Sequence, residues 1–268
     1  MTLGGECGVL FKDFEVHTDN AYDAEISGGI VISSMNPYIL IHEGHGIDKV
    51  PTGDGAQSDS MVTTVDRLQY VYTVALSKGY IPVSIHDIAE YYAGIKELPK
   101  RCFTVVFDDY RFANCLDIEN RAVFTRLSIK PALAIISDRE ESIIHDDETI
   151  ELSKAVEICK MNDFSLVSHT RNHRDIVNIK PSTYMQEFVN DIYSADIKGI
   201  DGRIFVYPYG RSNSYEHDTM KWLGIQLGIS VYEGVVPRYN TYNRSRYRLV
   251  RQEIGLRMNI SDILSHIL

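Results

Sequence analysis

Arg101-Cys102-Phe103-Thr104-Val105-Val106-Phe107-Asp108-Asp109-Tyr110-Arg111-Phe112 is an unbroken apolar run closed by two carboxylates. Cys102 to Phe107 is rich in β-branched and aromatic residues, the composition of a strand buried on both faces. Ending such a strand in paired acids is costly, because like charges near low dielectric repel and lose hydration. One reading is an Asp-rich loop that caps the following helix. The other is a site in which one acid binds a metal and its neighbour handles a proton.

The second reading needs ligands elsewhere, and the chain supplies them sixty residues on. Phe164-Ser165-Leu166-Val167-Ser168 is another short apolar run, and it ends in His169-Thr170-Arg171-Asn172-His173. Histidines four apart would share one face of a helical turn and could grip one ion. The zinc-protease pattern places a Glu directly after its first His as base, but here that residue is Thr170. The Asp108-Asp109 pair would complete the set, one acid as third ligand and the other as base. Three protein ligands leave a position open for water.

Phe107-Asp108-Asp109, then His-Thr-x-x-His, then Tyr207-Pro208-Tyr209-Gly210 together resemble the polysaccharide deacetylase (NodB-homology) family. The order and spacing of blocks match from about residue 36 to the end. The resemblance implies a distorted (β/α) barrel and a divalent metal, most simply Zn2+, with Ni2+, Co2+ or Fe2+ also accepted by two imidazoles and a carboxylate. It assigns Asp109, His169 and His173 as ligands, Asp108 as base, and the Tyr209 backbone N–H as oxyanion donor. His42, at the end of the run Pro37–Ile41, is the acid candidate by resemblance to the exopolysaccharide N-deacetylase branch. Tyr110, Tyr207, Pro208 and Tyr209 are expected along the substrate, with the tyrosines offering rings for sugars. Two positions depart from the family. Tyr110 replaces its usual Gly, and Val206 stands where most members carry an Arg that steadies the base. Arg251, after Arg248-Leu249-Val250, is the expected substitute. No Leu-x-His element is evident, and His266 reads as structural.

Composition bounds the rest. The 268 residues are 44% hydrophobic, ample for one core, and the formal net charge of -10 argues against a nucleic-acid partner. Cys7, Cys102, Cys115 and Cys159 show neither metal-type spacing nor a disulfide framework. No stretch reaches transmembrane length and residues 1 to 8 lack a signal-like run, which gives a cytoplasmic expectation. Strand-like and helix-like segments alternate with no dividing linker, so one catalytic domain over 1–268 is expected, with 1–35 as an N-terminal flap. Expected helices run from Met61 to Leu76, Cys115 to Leu127, Glu148 to Met161, Ser182 to Tyr193, His217 to Leu227 and Ile260 to Leu268. His42, Asp108-Asp109, His169 and Tyr207-Pro208-Tyr209 then all fall at strand C-termini, the face that carries catalysis in such barrels. The leading expectation is removal of an N-acyl group, acetyl or formyl, from an amino sugar of a glycan or its precursor. A non-catalytic glycan-binding relative and a metallo-amidohydrolase for a small amide remain the alternatives.

Overall fold

The computed structural model describes residues 37–45, 47–48, 62–108, 118–138, 144–145, 148–149, 151–213, 215–231 and 245–267. Seven parallel strands close into a barrel: β1 (Tyr38–Gly44), β2 (Arg101–Asp108), β3 (Ala132–Ile135), β4 (Ser165–Ser168), β5 (Asp201–Val206), β6 (Leu227–Val231) and β7 (Leu249–Glu253). Neighbours in space follow chain order, and β1 closes the ring by pairing with both β7 and β2. Helices α1 (Val65–Ser77), α3 (Ile118–Arg126), α4 (Leu152–Asn162), α5 (Tyr184–Asp196), α6 (His217–Trp222) and α7 (Ile260–Leu264) account for all but one of the described helices longer than a single turn. This is the expected single distorted (β/α) barrel. Among the described residues no helix is long and apolar enough to cross a membrane. The proposed flap at 1–35 lies outside the described residues.

Side chains alternate between two cores, as the two-residue period of a strand requires. Ile39 and Ile41 of β1, Val106 of β2, Val167 of β4, Val206 of β5 and Leu249 of β7 fill the barrel interior. Leu40, Phe103, Val105 and Phe107 face outward onto α1 and α3, against Leu68, Val71, Tyr72 and Phe124. A third cluster joins α5 to α6 through Phe188, Phe205, Tyr207 and Met220. The run Cys102 to Phe107 is continuous because both of its faces are covered.

The remaining helix, α2 (Ile85–Tyr92), does something else: its Ile85, Ile88 and Ala89 belong to the interior cluster. It therefore plugs the end of the barrel from which the strands start. A capping box between Ser84 and Asp87 fixes its first turn. His86 latches the plug. Its Nδ1 lies 3.0 Å from Ser165 Oγ at the start of β4, and its Nε2 lies 3.2 Å from Asp201 Oδ2 at the start of β5.

Helix boundaries shift where backbone chemistry intervenes. α1 starts late because Thr64 caps it, accepting from the Arg67 N–H at 3.2 Å. α6 stops at Trp222, short of the expected Leu227, because Gly224 at φ +72 turns the chain into β6.

The His86 latch carries a sign. The bond to Asp201 raises the His86 pKa against the opposing effect of burial. A raised folded pKa stabilises fully below the unfolded value of 6.5 and fades as pH climbs through the raised one. His86→Ala should thus cost roughly 1 kcal/mol in urea titrations at pH 5.5, a partly exposed pair being weak. The gap to wild type should narrow by pH 8.5.

Candidate active site

Interior-facing parity brings three charged side chains together at the seam where the barrel closes. Glu43 follows Ile39 and Ile41 on the inner face of β1, Asp108 follows Val106 on β2, and Arg251 follows Leu249 on β7. Arg251 Nε stands 2.6 Å from Glu43 Oε2, and its Nη1 stands 2.7 Å from Asp108 Oδ2. All three side chains are almost wholly buried. A guanidinium so deep would lose its hydration for nothing without such partners. Burial pushes the Glu43 carboxyl up to about 7, with Arg251 working against the rise and Asp108 adding to it.

His169 completes the inner rim. It leaves β4 after Ser168, and its Nδ1 lies 2.9 Å from the Val206 carbonyl oxygen. A carbonyl can only accept, so Nδ1 carries a proton, and Nε2 is the ring nitrogen turned towards the rim. That Nε2 faces Asp108 Oδ2 at 3.5 Å. A metal-binding histidine is held by this kind of tether to its other ring nitrogen. The His173 ring lies 4.9 Å from that of His169, centroid to centroid. The expected helical turn between them is not formed. Thr170 and His173 take φ of 62° and 57°, so a non-helical turn folds the second imidazole back beside the first. Asp109 and Tyr110 lie outside the described residues. Among the described residues, no cluster of three His, Cys, Asp or Glu side chains suited to a metal ion is found. The donor chemistry of His169 and His173 fits an ion whose third ligand would be Asp109.

The Tyr207-Pro208-Tyr209-Gly210 block divides by face. Tyr209, at φ 59°, is largely exposed, and its ring lies 4.7 Å from that of His173. Tyr207, expected along the substrate, points outward instead. It is fully buried, and its hydroxyl donates to the Tyr247 carbonyl at 2.9 Å. Pro208 is also buried and shapes the turn without offering a surface. Gly210 permits that turn, because a Cβ there would fall 2.1 Å from Val231 Cγ2.

His42 also needs correction. One residue out of phase with Glu43, it faces α1, with Nδ1 3.1 Å from the Tyr72 hydroxyl. Burial, with a smaller push from His266, holds its pKa down at about 3. A neutral imidazole on the outer side of the barrel cannot hand a proton to a substrate inside it. The imidazole from this strand that does face the site is His45, just past Gly44, with Nε2 3.8 Å from Asp108 Oδ1. Glu43 and His45 are the residues the motif reading passed over. The alternation Ile39, Ile41, Glu43 was the signal available for the first.

No family model and no curated protein matches the sequence. Solved structures do match. A Streptococcus pyogenes deacetylase, PplD, in complex with acetate superposes with a TM-score of 0.69 at 18% identity over 87% of this chain and 99% of that one. A de-N-acetylase from Aggregatibacter actinomycetemcomitans gives 0.67 at 16% identity, over 86% of this chain and all of the other. A polysaccharide deacetylase from Bacillus cereus gives 0.63 at 16%, over 87% of this chain and 70% of that one. The chain therefore has the fold of the polysaccharide deacetylases.

The buried His42 sets an acid limit on stability. In the unfolded chain it takes up a proton near 6.5, while the folded chain resists until about 3. Its share of stability is intact above pH 6.5 and is lost as pH falls towards 3, by roughly 4 kcal/mol at ~1.4 kcal/mol per pH unit. His42→Gln, which keeps a partner for Tyr72, should flatten ΔG of unfolding between pH 6.5 and 4 relative to wild type. Parallel curves would contradict the assignment.

Proposed function

We propose that the chain is a metal-dependent carbohydrate de-N-acylase, removing an N-acyl group, acetyl first, from an amino sugar of a glycan or glycan precursor. The observation that carries this reading is the Asp108 carboxylate, buried at the C-terminal rim, paired with Arg251 and facing His169 Nε2. The barrel around it is the one shared by the deacetylase structures. A glycan-binding protein has no use for so costly a cluster of buried charge.

Asp109, His169 and His173 would hold a divalent cation, zinc by donor type, with nickel, cobalt or iron also compatible. When bound, such an ion supplies Lewis acidity, lowering the pKa of water towards ~7 and favouring charge on an acyl oxygen. The protein's own groups do the rest. Asp108 takes the proton of the attacking water, and Arg251 keeps that carboxylate aimed. The Tyr209 backbone N–H donates to the oxyanion, a contribution of roughly 3 kcal/mol to the barrier where such donors have been removed. His45 gives a proton to the departing amine. The exposed Tyr209 ring at the mouth offers a face for a sugar ring, which favours a glycan over a small amide.

Asp108→Asn should retain bound metal by elemental analysis yet lower acetate release from N-acetylated amino-sugar oligomers by at least a hundredfold. Undiminished turnover would remove Asp108 as base. His169→Ala should lose metal on dialysis, and an unchanged metal-to-protein ratio would refute that ligand.

A further inference from the structure

We infer that Glu43 is a positioning residue for this reaction: through Arg251 it aims the Asp108 carboxylate. The inference rests on the proposed role of Asp108 as base.

The argument starts from where the three residues sit. β1 lies between β7 and β2, so Arg251 must reach Asp108 across an intervening strand. Neighbouring strands are about 5 Å apart, so the reach spans roughly twice that before curvature shortens it. Register makes the path oblique as well. Gln252 pairs with His42, which puts Arg251 level with Ile41, one step lower. Phe107 pairs with Gly44, which puts Asp108 level with His45. Glu43 stands midway, on the inner face of the middle strand. The three side chains form a rising line around the seam, with Glu43 under the span.

The contacts match that geometry. Glu43 takes the Nε side of the guanidinium at 2.6 Å, leaving Nη1 for Asp108 at 2.7 Å. A guanidinium is planar and rigid, so fixing its Nε edge fixes the direction of its outer nitrogens. Without that anchor Arg251 is a long side chain with four soft torsions, and its direction of approach to Asp108 is no longer set. The Glu43 backbone is itself pinned, since its carbonyl accepts from the Ile254 N–H at 2.9 Å beyond the end of β7. The anchor is thus tied to the strand that carries the arginine.

Four proteins test this: Glu43→Gln, Glu43→Met, Arg251→Met, and the double variant Glu43→Met with Arg251→Met. If Glu43 acts through Arg251, kcat for N-acetyl release falls about tenfold in Glu43→Gln and about a hundredfold in Glu43→Met, with KM within twofold. The double variant is then no slower than Arg251→Met alone, because one interaction cannot be lost twice. A KM effect at unchanged kcat, or losses that multiply in the double variant, overturns the proposal. Should Glu43→Met fail to fold, Glu43→Gln decides alone, and wild-type kcat in it overturns the proposal. A wild-type protein that releases no acyl group defeats the functional reading instead. The positioning claim is then settled by a crystal structure of Glu43→Gln, in which Arg251 Nη1 should have left Asp108; an undisturbed contact overturns it.

Discussion

One guanidinium shared by two carboxylates governs the rest of this molecule. Arg251, Glu43 and Asp108 come from three adjacent strands, and they meet only because the barrel closes between β7, β1 and β2. Buried ion clusters of this kind seldom add stability, since desolvation consumes most of the Coulomb gain. What they add is definition, because a charge that must be matched tolerates one arrangement of its strands. The apolar packing of Ile41, Val106 and Leu249 beneath provides the stability that this arrangement draws on. The plug helix α2 serves the same end from below, filling the barrel with Ile85 and Ile88.

Much of this was readable from residues alone. The buried character of Cys102 to Phe107, the alternation of strands with helices and the clustering of acids and histidines at strand ends are local signals, and they led to the barrel and its working face. Arg251 too was accessible, because a missing Arg at Val206 called for a substitute and Arg251 follows the strand-like Arg248-Leu249-Val250. His42 and Tyr207 were misread for one reason. Both sit at strand ends, but a strand end has two faces, and motif position says nothing about which is inward. Parity does: His42 is in phase with Leu40, and Tyr207 with Phe205, both outward residues. The pairing of Glu43 with Arg251 was beyond local reasoning, since it depends on a register set over two hundred residues of chain.

The turn at His169 to His173 failed for a different reason. Four-residue spacing suggests a helix only where the backbone is free to form one, and here the chain has just left β4 at the rim. Five non-glycine residues with positive φ occur among the described residues. Ser128 and Asp163 are at helix ends, where the left-handed conformation is ordinary. The other three, Thr170, His173 and Tyr209, are in the two loops that carry the second imidazole and the exposed tyrosine.

That distribution has a physical meaning. A non-glycine residue in the left-handed region costs about 1–2 kcal/mol, so three in adjacent loops represent strain that packing elsewhere must offset. The offset is visible in the tethers: the His169 ring to the Val206 carbonyl, the Ser137 N–H to the Thr170 carbonyl, and the Tyr207 N–H to the Ile229 carbonyl. Each fixes a loop to an edge of the barrel just below it. Relaxing either loop would swing His173 or Tyr209 away from the other, since their rings touch only while both backbones hold the left-handed turn. Strain and burial of charge therefore act on opposite sides of the same mouth. The seam fixes the acid, the strained loops fix the imidazole and the aromatic face, and the barrel holds the two sides at working distance.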